Sequence, residues 1–175
     1  MNILTVYYSR KGENYYNKEI RFLEKGNTEI AAEMIQKAVG GDLFEIDTVN
    51  PYAADFRECC REAKAELDAD ARPPIKAFLP DISQYDVIFV CYPNWCDTVP
   101  MCILTFLDHY DLTGKRLIPL CTNEGSGAGR SVAHLRQLYP QAKIEDGRAV
   151  MGCHVKDSEE KIAEWVKSTV ASFSL

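Results

Sequence analysis

Val87-Ile88-Phe89-Val90-Cys91-Tyr92-Pro93-Asn94-Trp95 is an unbroken apolar run that opens into a proline-containing polar loop. Apolar residues at every position, rather than at alternate ones, mark a parallel strand buried on both faces, and burying both faces requires helices. A helical pattern does follow: Pro100 suits a first turn, and Ile103, Leu104, Leu107 and Tyr110 recur at the spacing of one helix face.

The same alternation extends in both directions. Upstream, Ile3 to Tyr8 reads as a strand, and Ile30, Ala31, Met34, Ile35 and Ala38 form a helical stripe that stops at Gly40-Gly41. Leu43 to Ile46 is a short second strand. A helix is expected from near Pro51, with Phe56, Cys59, Cys60, Ala63 and Leu67 on one face, ending before Pro73-Pro74. Downstream come a strand at Arg116 to Cys121, a short helix carrying Val132, Leu135 and Leu138, and a fifth strand at Ala149 to Val155. Asp157 with Glu160 reads as a capping box for a last helix whose apolar stripe is Ile162, Trp165, Val166, Val170 and Phe173. Strands alternating with helices imply right-handed crossovers and an α/β fold, a three-layer α/β/α sandwich around a five-stranded parallel sheet. Its expected order is 2-1-3-4-5, in one domain over residues 1–175.

Composition narrows the partners. With 46% hydrophobic and 26% charged residues the chain has ordinary globular proportions. No run approaches a membrane span and the first residues lack the layout of a signal peptide, so a cytoplasmic protein without membrane attachment is expected. A formal net charge of -6 argues against nucleic acid as a partner. Seven cysteines without a Cys-x-x-Cys pair suit reduced core thiols, with no metal site. Cys59 and Cys60 read as packing residues, and Cys96 as a core thiol or one half of a pair with Cys91 or Cys102. His109, His134 and His154 read as ordinary surface or core residues, His154 alone lying near a sheet edge.

In a doubly wound sheet, ligands sit at the carboxyl edge where the strand order reverses. Three loops leave that edge: Ser9 to Thr28, Tyr92 to Thr98 and Thr122 to Gly129. An acidic pair after the first strand, a Gly-x-Gly-x-x-Gly turn and a Gly-Lys-Ser/Thr loop are all absent, which disfavours receiver, dinucleotide and P-loop readings. What is present is Tyr8-Ser9-Arg10, then Gly26-Asn27-Thr28 opening the first helix, then Tyr92-Pro93-Asn94-Trp95, then Thr122-Asn123-Glu124-Gly125-Ser126-Gly127. In this order and at these places the motifs resemble the three FMN loops of the flavodoxin family, in its short-chain form. The resemblance is nearest to a group with an insert, here Lys11 to Lys25, inside the phosphate loop.

The resemblance implies FMN as cofactor. Ser9, Arg10, Gly26, Asn27 and Thr28 would form the phosphate loop, with the positive end of the helix assisting; Asn27 and Thr28 could equally be a plain helix cap. Tyr92, Pro93, Asn94, Trp95, Cys96, Asp97 and Thr98 would flank the isoalloxazine, with Trp95 as its aromatic wall. Thr122, Asn123, Glu124, Gly125, Ser126 and Gly127 would meet the ring's polar edge, partly through the N–H groups of Glu124, Gly125 and Ser126. Glu124 itself is expected to point away or to pair with Arg130. The chain departs from the resemblance where relatives carry Trp-Trp-Gly-Thr and His-Glu-Gly. Asp97 replaces a glycine at a turn that moves near flavin N5, which predicts weaker stabilisation of one-electron reduced flavin.

The resemblance therefore implies an electron-transfer protein or oxidoreductase that works with a redox partner protein or a small-molecule acceptor, as monomer or homodimer. Two alternatives stand beside it: an NAD(P)H-dependent quinone or FMN reductase working by two-electron transfer, and a flavin-free interaction module on the same fold. Within the insert, Asn17-Lys18 marks the turn of a small hairpin, which would act as a lid, a partner surface or a docked flap.

Overall fold

A computed structural model describes residues 1–174. The central sheet uses strands β1 (Ile3–Tyr7), β4 (Asp42–Glu45), β5 (Val87–Pro93) and β6 (Arg116–Asn123), with two short strands, β7 (Lys143–Ile144) and β8 (Arg148–Met151), both paired to β6. The order is β4-β1-β5-β6-β7, with β8 also against β6, and every pairing in it is parallel. With the hairpin β2 (Gly12–Tyr16) and β3 (Glu19–Leu23) set apart as its own two-stranded sheet, this is the expected 2-1-3-4-5 order.

Period-two alternation divides the core into two layers. Leu4, Val6, Ile88, Val90, Tyr92, Leu117 and Cys121 point into one, against α3 (Met101–Asp108) and Leu135 of α4 (Ser131–Leu138). Ile3, Tyr7, Val87, Phe89, Cys91, Ile118 and Leu120 point into the other, against Ala31, Ala32 and Ile35 of α1 (Asn27–Val39) and Ile162 and Val166 of α5 (Glu159–Ala171). Each fully buried aliphatic side chain contributes about 1.5–3 kcal/mol of burial. β5 is buried along its length up to Pro93, as its unalternating sequence requires. α1 ends where Gly40 takes φ 73° and returns its N–H to Gln36 O.

Several boundaries differ from the sequence reading. α2 (Phe56–Asp68) starts five residues after Pro51, because Asp55 is the residue whose carboxylate can accept from an N–H in the first turn, that of Glu58 at 2.8 Å. β6 runs on to Asn123. The fifth strand, expected over Ala149 to Val155, is β8 and ends at Met151, after which the chain from Gly152 to Asp157 winds into a 3₁₀ helix that carries the exposed His154; the short β7 before it was not anticipated. The capping box does not form: Ser158 is the cap residue of α5, and its hydroxyl donates back to His154 O at 2.8 Å. The Asn17-Lys18 turn is present, with φ 48° and 70°, the two positive angles of a two-residue hairpin turn. None of the described helices is long and apolar enough to cross a membrane.

Candidate functional site

The three loops converge on a cavity of about 380 Å³ at the carboxyl edge of β1, β5 and β6. Ser9, Arg10, Asn27, Thr28, Pro93, Asn94, Trp95, Cys96, Thr122, Asn123, Glu124 and Ser126 all line it.

At the first loop, Ser9 Oγ accepts from Glu29 N at 3.0 Å, so a residue distant in sequence caps the start of α1. The N–H groups of Asn27 and Thr28, at the first turn, have no partner within the helix, as at any helix start. Thr28 Oγ1 lies 2.7 Å from Thr122 Oγ1 and joins the first loop to the third. Gly26 is fixed by space: a β-carbon there would stand 2.1 Å from Ser9 Oγ and 2.6 Å from Arg10 O. Arg10, only 8% exposed, donates Nε to Glu13 O at 2.7 Å and Nη2 to Ala53 O and Ala54 O at 2.9 Å each. Its acceptors are neutral carbonyls, so the guanidinium ties the hairpin to the segment before α2, and no carboxylate among the described residues forms an ion pair with it.

The second loop is a tight turn. Trp95 N donates to Thr98 O and Thr98 N to Trp95 O, both at 3.0 Å, with Cys96 and Asp97 at φ 51° and 68°. Asp97 therefore adopts the positive φ expected at the position where relatives carry glycine. Arg130 N holds Asp97 O at 2.9 Å from the far side. Trp95 meets Tyr8 and Tyr52 edge to face, with centroids 5.1 and 4.9 Å away. Asn94 donates Nδ2 to Ser126 Oγ and Gly127 O at 2.9 and 3.0 Å, and its Oδ1 is buried with no partner among the described residues.

Asn123 organises the third loop. Its Oδ1 accepts from Gly125 N and Gly127 N at 2.9 and 3.0 Å, and its Nδ2 donates to Val150 O at 3.2 Å. The Gly125 N–H, expected to face a ligand, is thereby spent inside the loop. Glu124 does not pair with Arg130. Its Oε2 accepts from Asn17 N in the hairpin turn at 3.0 Å, while Oε1 is buried close to Gly152 and the Asn27 side chain. Tyr16 OH donates to Cys153 O at 3.3 Å, so the hairpin is docked on the third loop and the 3₁₀ helix.

Other expected site residues lie behind the surface. Tyr92 is buried, with its hydroxyl donating to Ser131 Oγ at 2.9 Å. Thr98 is buried against His134 Nδ1 at 2.7 Å. Gly26, Asp97, Gly125 and Gly127 shape the loops without lining the cavity.

One wall was not anticipated from the three loops. Asn14 and Tyr15 of the hairpin, Phe56, Cys59, Cys60 and Ala63 of α2, and Gly152 complete the lining. Tyr15 stacks on Phe56 at 6.4 Å, and Glu13 Oε2 accepts Phe56 N at 2.9 Å, so the hairpin caps α2. The apolar stripe of α2 was visible in sequence, but nothing local says that its first turns face a cavity. Cys60 is exposed and Cys96 half-buried, which corrects the expectation that both are packed in the core.

The comparisons agree with this geometry. The flavodoxin family model matches residues 20–169. A candidate flavoprotein from Bacteroides eggerthii is 31% identical, covering 93% of this chain and 98% of its own, at TM-score 0.71. A second, from Bacteroides uniformis, is 26% identical over 95% and 97% of the two chains at TM-score 0.78. A Lactobacillus acidophilus flavoprotein solved in complex with FMN shares the fold at TM-score 0.64 and 19% identity, covering 89% of this chain and 97% of its own. The curated proteins contain no match. With the strand order, the three converging loops and a family match over most of its length, the chain belongs to the flavodoxin family.

Proposed function

We propose that the protein binds FMN in this cavity and transfers electrons as a flavodoxin-like oxidoreductase. The observation that carries the reading is the pairing of opposite features in one cavity: the start of α1 on one side and Trp95 on another, with the cationic Arg10 in the same lining. The first side suits a phosphate, which gains from free N–H groups and local positive charge. The second suits a planar ring. The Bacteroides and Lactobacillus flavoproteins support this choice of cofactor.

When bound, FMN supplies the redox chemistry, accepting and releasing electrons singly or as a hydride. The protein's part is to bind, orient and exclude water. Thr28 and Thr122 hold the first and third loops together, Trp95 would shield the ring face, and the docked hairpin closes the α2 side. Among the two modes, transfer in pairs has a specific observation in its favour. The turn at Trp95–Thr98 is closed by two hydrogen bonds and anchored through Asp97 O, and both central residues carry β-carbons at positive φ. Rotating its central peptide would place Cys96 in a conformation that is favourable only for glycine. A turn that stays in place would suit two-electron chemistry, of the kind an NAD(P)H-dependent quinone or flavin reductase performs. The physiological acceptor is either such a small molecule or a redox partner protein, reached from a soluble protein in the cytoplasm.

The test is a titration with FMN followed by anaerobic stepwise reduction. Saturable binding at micromolar FMN with quenched flavin fluorescence, then passage from the oxidised to the fully reduced spectrum through clean isosbestic points, is expected. Absence of binding would transfer the chain to the flavin-free alternative. A large fraction of a spectrum matching neither end state would favour single-electron transfer.

A further inference from the structure

Of the seven free cysteines, four (Cys59, Cys91, Cys102 and Cys121) are buried; Cys60 is exposed, and Cys96 and Cys153 are half-buried. Exposed thiols are unusual, since free cysteine ranks among the most buried residue types. Two of these three, Cys60 and Cys96, border the same cavity from opposite elements, α2 and the turn after β5. A second groove sets Cys96 against the same helix. There Cys96 stands beside Lys64 and Asp68, which continue the α2 face of Cys60 at one and two turns further on. Cys96 therefore packs along the stripe Cys60-Lys64-Asp68, with Cys60 at its cavity end. Burial raises the pKa of Cys96, and the neighbouring Cys60 and then Asp68 raise it further, while Lys64 opposes them. Burial also raises Cys60, with Arg10 as the opposing charge.

We propose that Cys60 and Cys96 form a reversible disulfide that staples α2 to the Trp95–Thr98 turn across the cavity mouth and controls access to it. The oxidant is a small disulfide such as glutathione disulfide. One protein thiol, deprotonated, attacks a sulfur of the oxidant and releases one glutathione thiolate, leaving a mixed disulfide. The second protein thiol, deprotonated in turn, displaces the other glutathione. Two protein S–H bonds and one oxidant S–S bond are consumed; one protein S–S bond and two glutathione thiols form, and two electrons pass from the protein to the oxidant. Because both thiols are held protonated by their surroundings, the reaction accelerates with pH and the reduced pair persists in a reducing compartment. The bridge would join α2 at Cys60 to the turn at Cys96, both of which line the cavity.

The experiment uses the full chain as purified. After incubation with glutathione disulfide and blocking of remaining thiols, non-reducing peptide mapping should find one linked pair, Cys60 with Cys96, and dithiothreitol should release it. Thiols counted in denaturant should fall by two from seven. Cys60→Ser and Cys96→Ser should each abolish the linked pair, and Cys153→Ser should retain it. Access is read without any cofactor, from acrylamide quenching of Trp95 in a Trp165→Phe background: the quenching constant should fall about twofold on oxidation and recover on reduction, since a bridge requires the two α-carbons within roughly 4.4–6.8 Å. Glutathione adducts without an internal link, or a link between other cysteines, would overturn the bridge. A Cys60–Cys96 link that leaves quenching unchanged would overturn its control of access. None of these outcomes depends on whether FMN binds.

Discussion

At the α1 end of the cavity the polar groups are fixed by hydrogen bonds that need no ligand, whereas at the Trp95 end the walls are rings held by packing. Ser9 caps α1 from twenty residues away, Thr28 meets Thr122, and Arg10 is clamped by three carbonyls. Trp95 has the edges of Tyr8 and Tyr52 against it, and Tyr15 on Phe56 forms a further wall. A preorganised anion site gains affinity because little has to be ordered on binding. A wall of rings gains by contact area and tolerates small displacements. The difference teaches that one end should respond steeply to small steric changes and the other gradually to loss of area.

The most direct way to break the comparison is Gly26→Ala. Gly26 has φ −71°, an angle alanine accepts, so only the overlap with Ser9 Oγ and Arg10 O is tested. FMN affinity should fall about 100-fold or more, as expected when two or more charge-assisted bonds are misplaced; titration by flavin fluorescence checks it, and an unchanged Kd would show that this end is adaptable. Trp95→Leu comes next. It keeps an apolar filler but removes the π-face, and should weaken FMN by about tenfold, or roughly 1–1.5 kcal/mol, with a matching loss of fluorescence quenching.

Smaller effects sharpen the picture of the turn between the two ends. Thr98, its last residue, is hydrogen-bonded to His134, whose pKa is depressed below 6.5 by burial first and then by the Arg130 charge. The unfolded chain therefore binds this proton at a higher pH than the folded one, so stability declines as pH falls below about 6.5 toward the folded value. His134→Gln should flatten that decline in urea denaturation series, and an unaltered slope would show that other groups cause it. The smallest effect is expected from Asp97→Gly. Relief of the positive φ, offset by greater freedom of the unfolded chain, should leave a net gain of about 0.5 kcal/mol, visible as a slightly higher Tm.

The sheet was legible because its signals are local. The unalternating apolar run of β5, the stripe of α1 and the stop at Gly40 each follow from residues within one element. The early end of the fifth strand was not legible, since Gly152, where the chain leaves the extended form, is fitted against Asn27 and Glu124, which are far away in sequence. The three loops of the site could be read from their residues and order, and twelve of the expected positions do line the cavity. The fourth wall could not. Tyr15 and Phe56 come together only because Arg10 and Glu13 tie the hairpin to the start of α2, and those bonds go to backbone groups that carry no sequence signature. Glu124 was misjudged for a similar reason: its partner is the backbone N–H of Asn17, not the nearby arginine.

The central claim is that the α1 end is a phosphate site and the Trp95 end a ring site in one cavity. The affinity of the protein for FMN relative to riboflavin, measured side by side at fixed ionic strength, tests it directly. The two ligands share the ring and ribityl chain and differ in the phosphate alone. A preference for FMN of about 100-fold or more, corresponding to roughly 3 kcal/mol, is predicted from a helix start assisted by a guanidinium in the same lining. Equal affinities, or binding of neither, would contradict it.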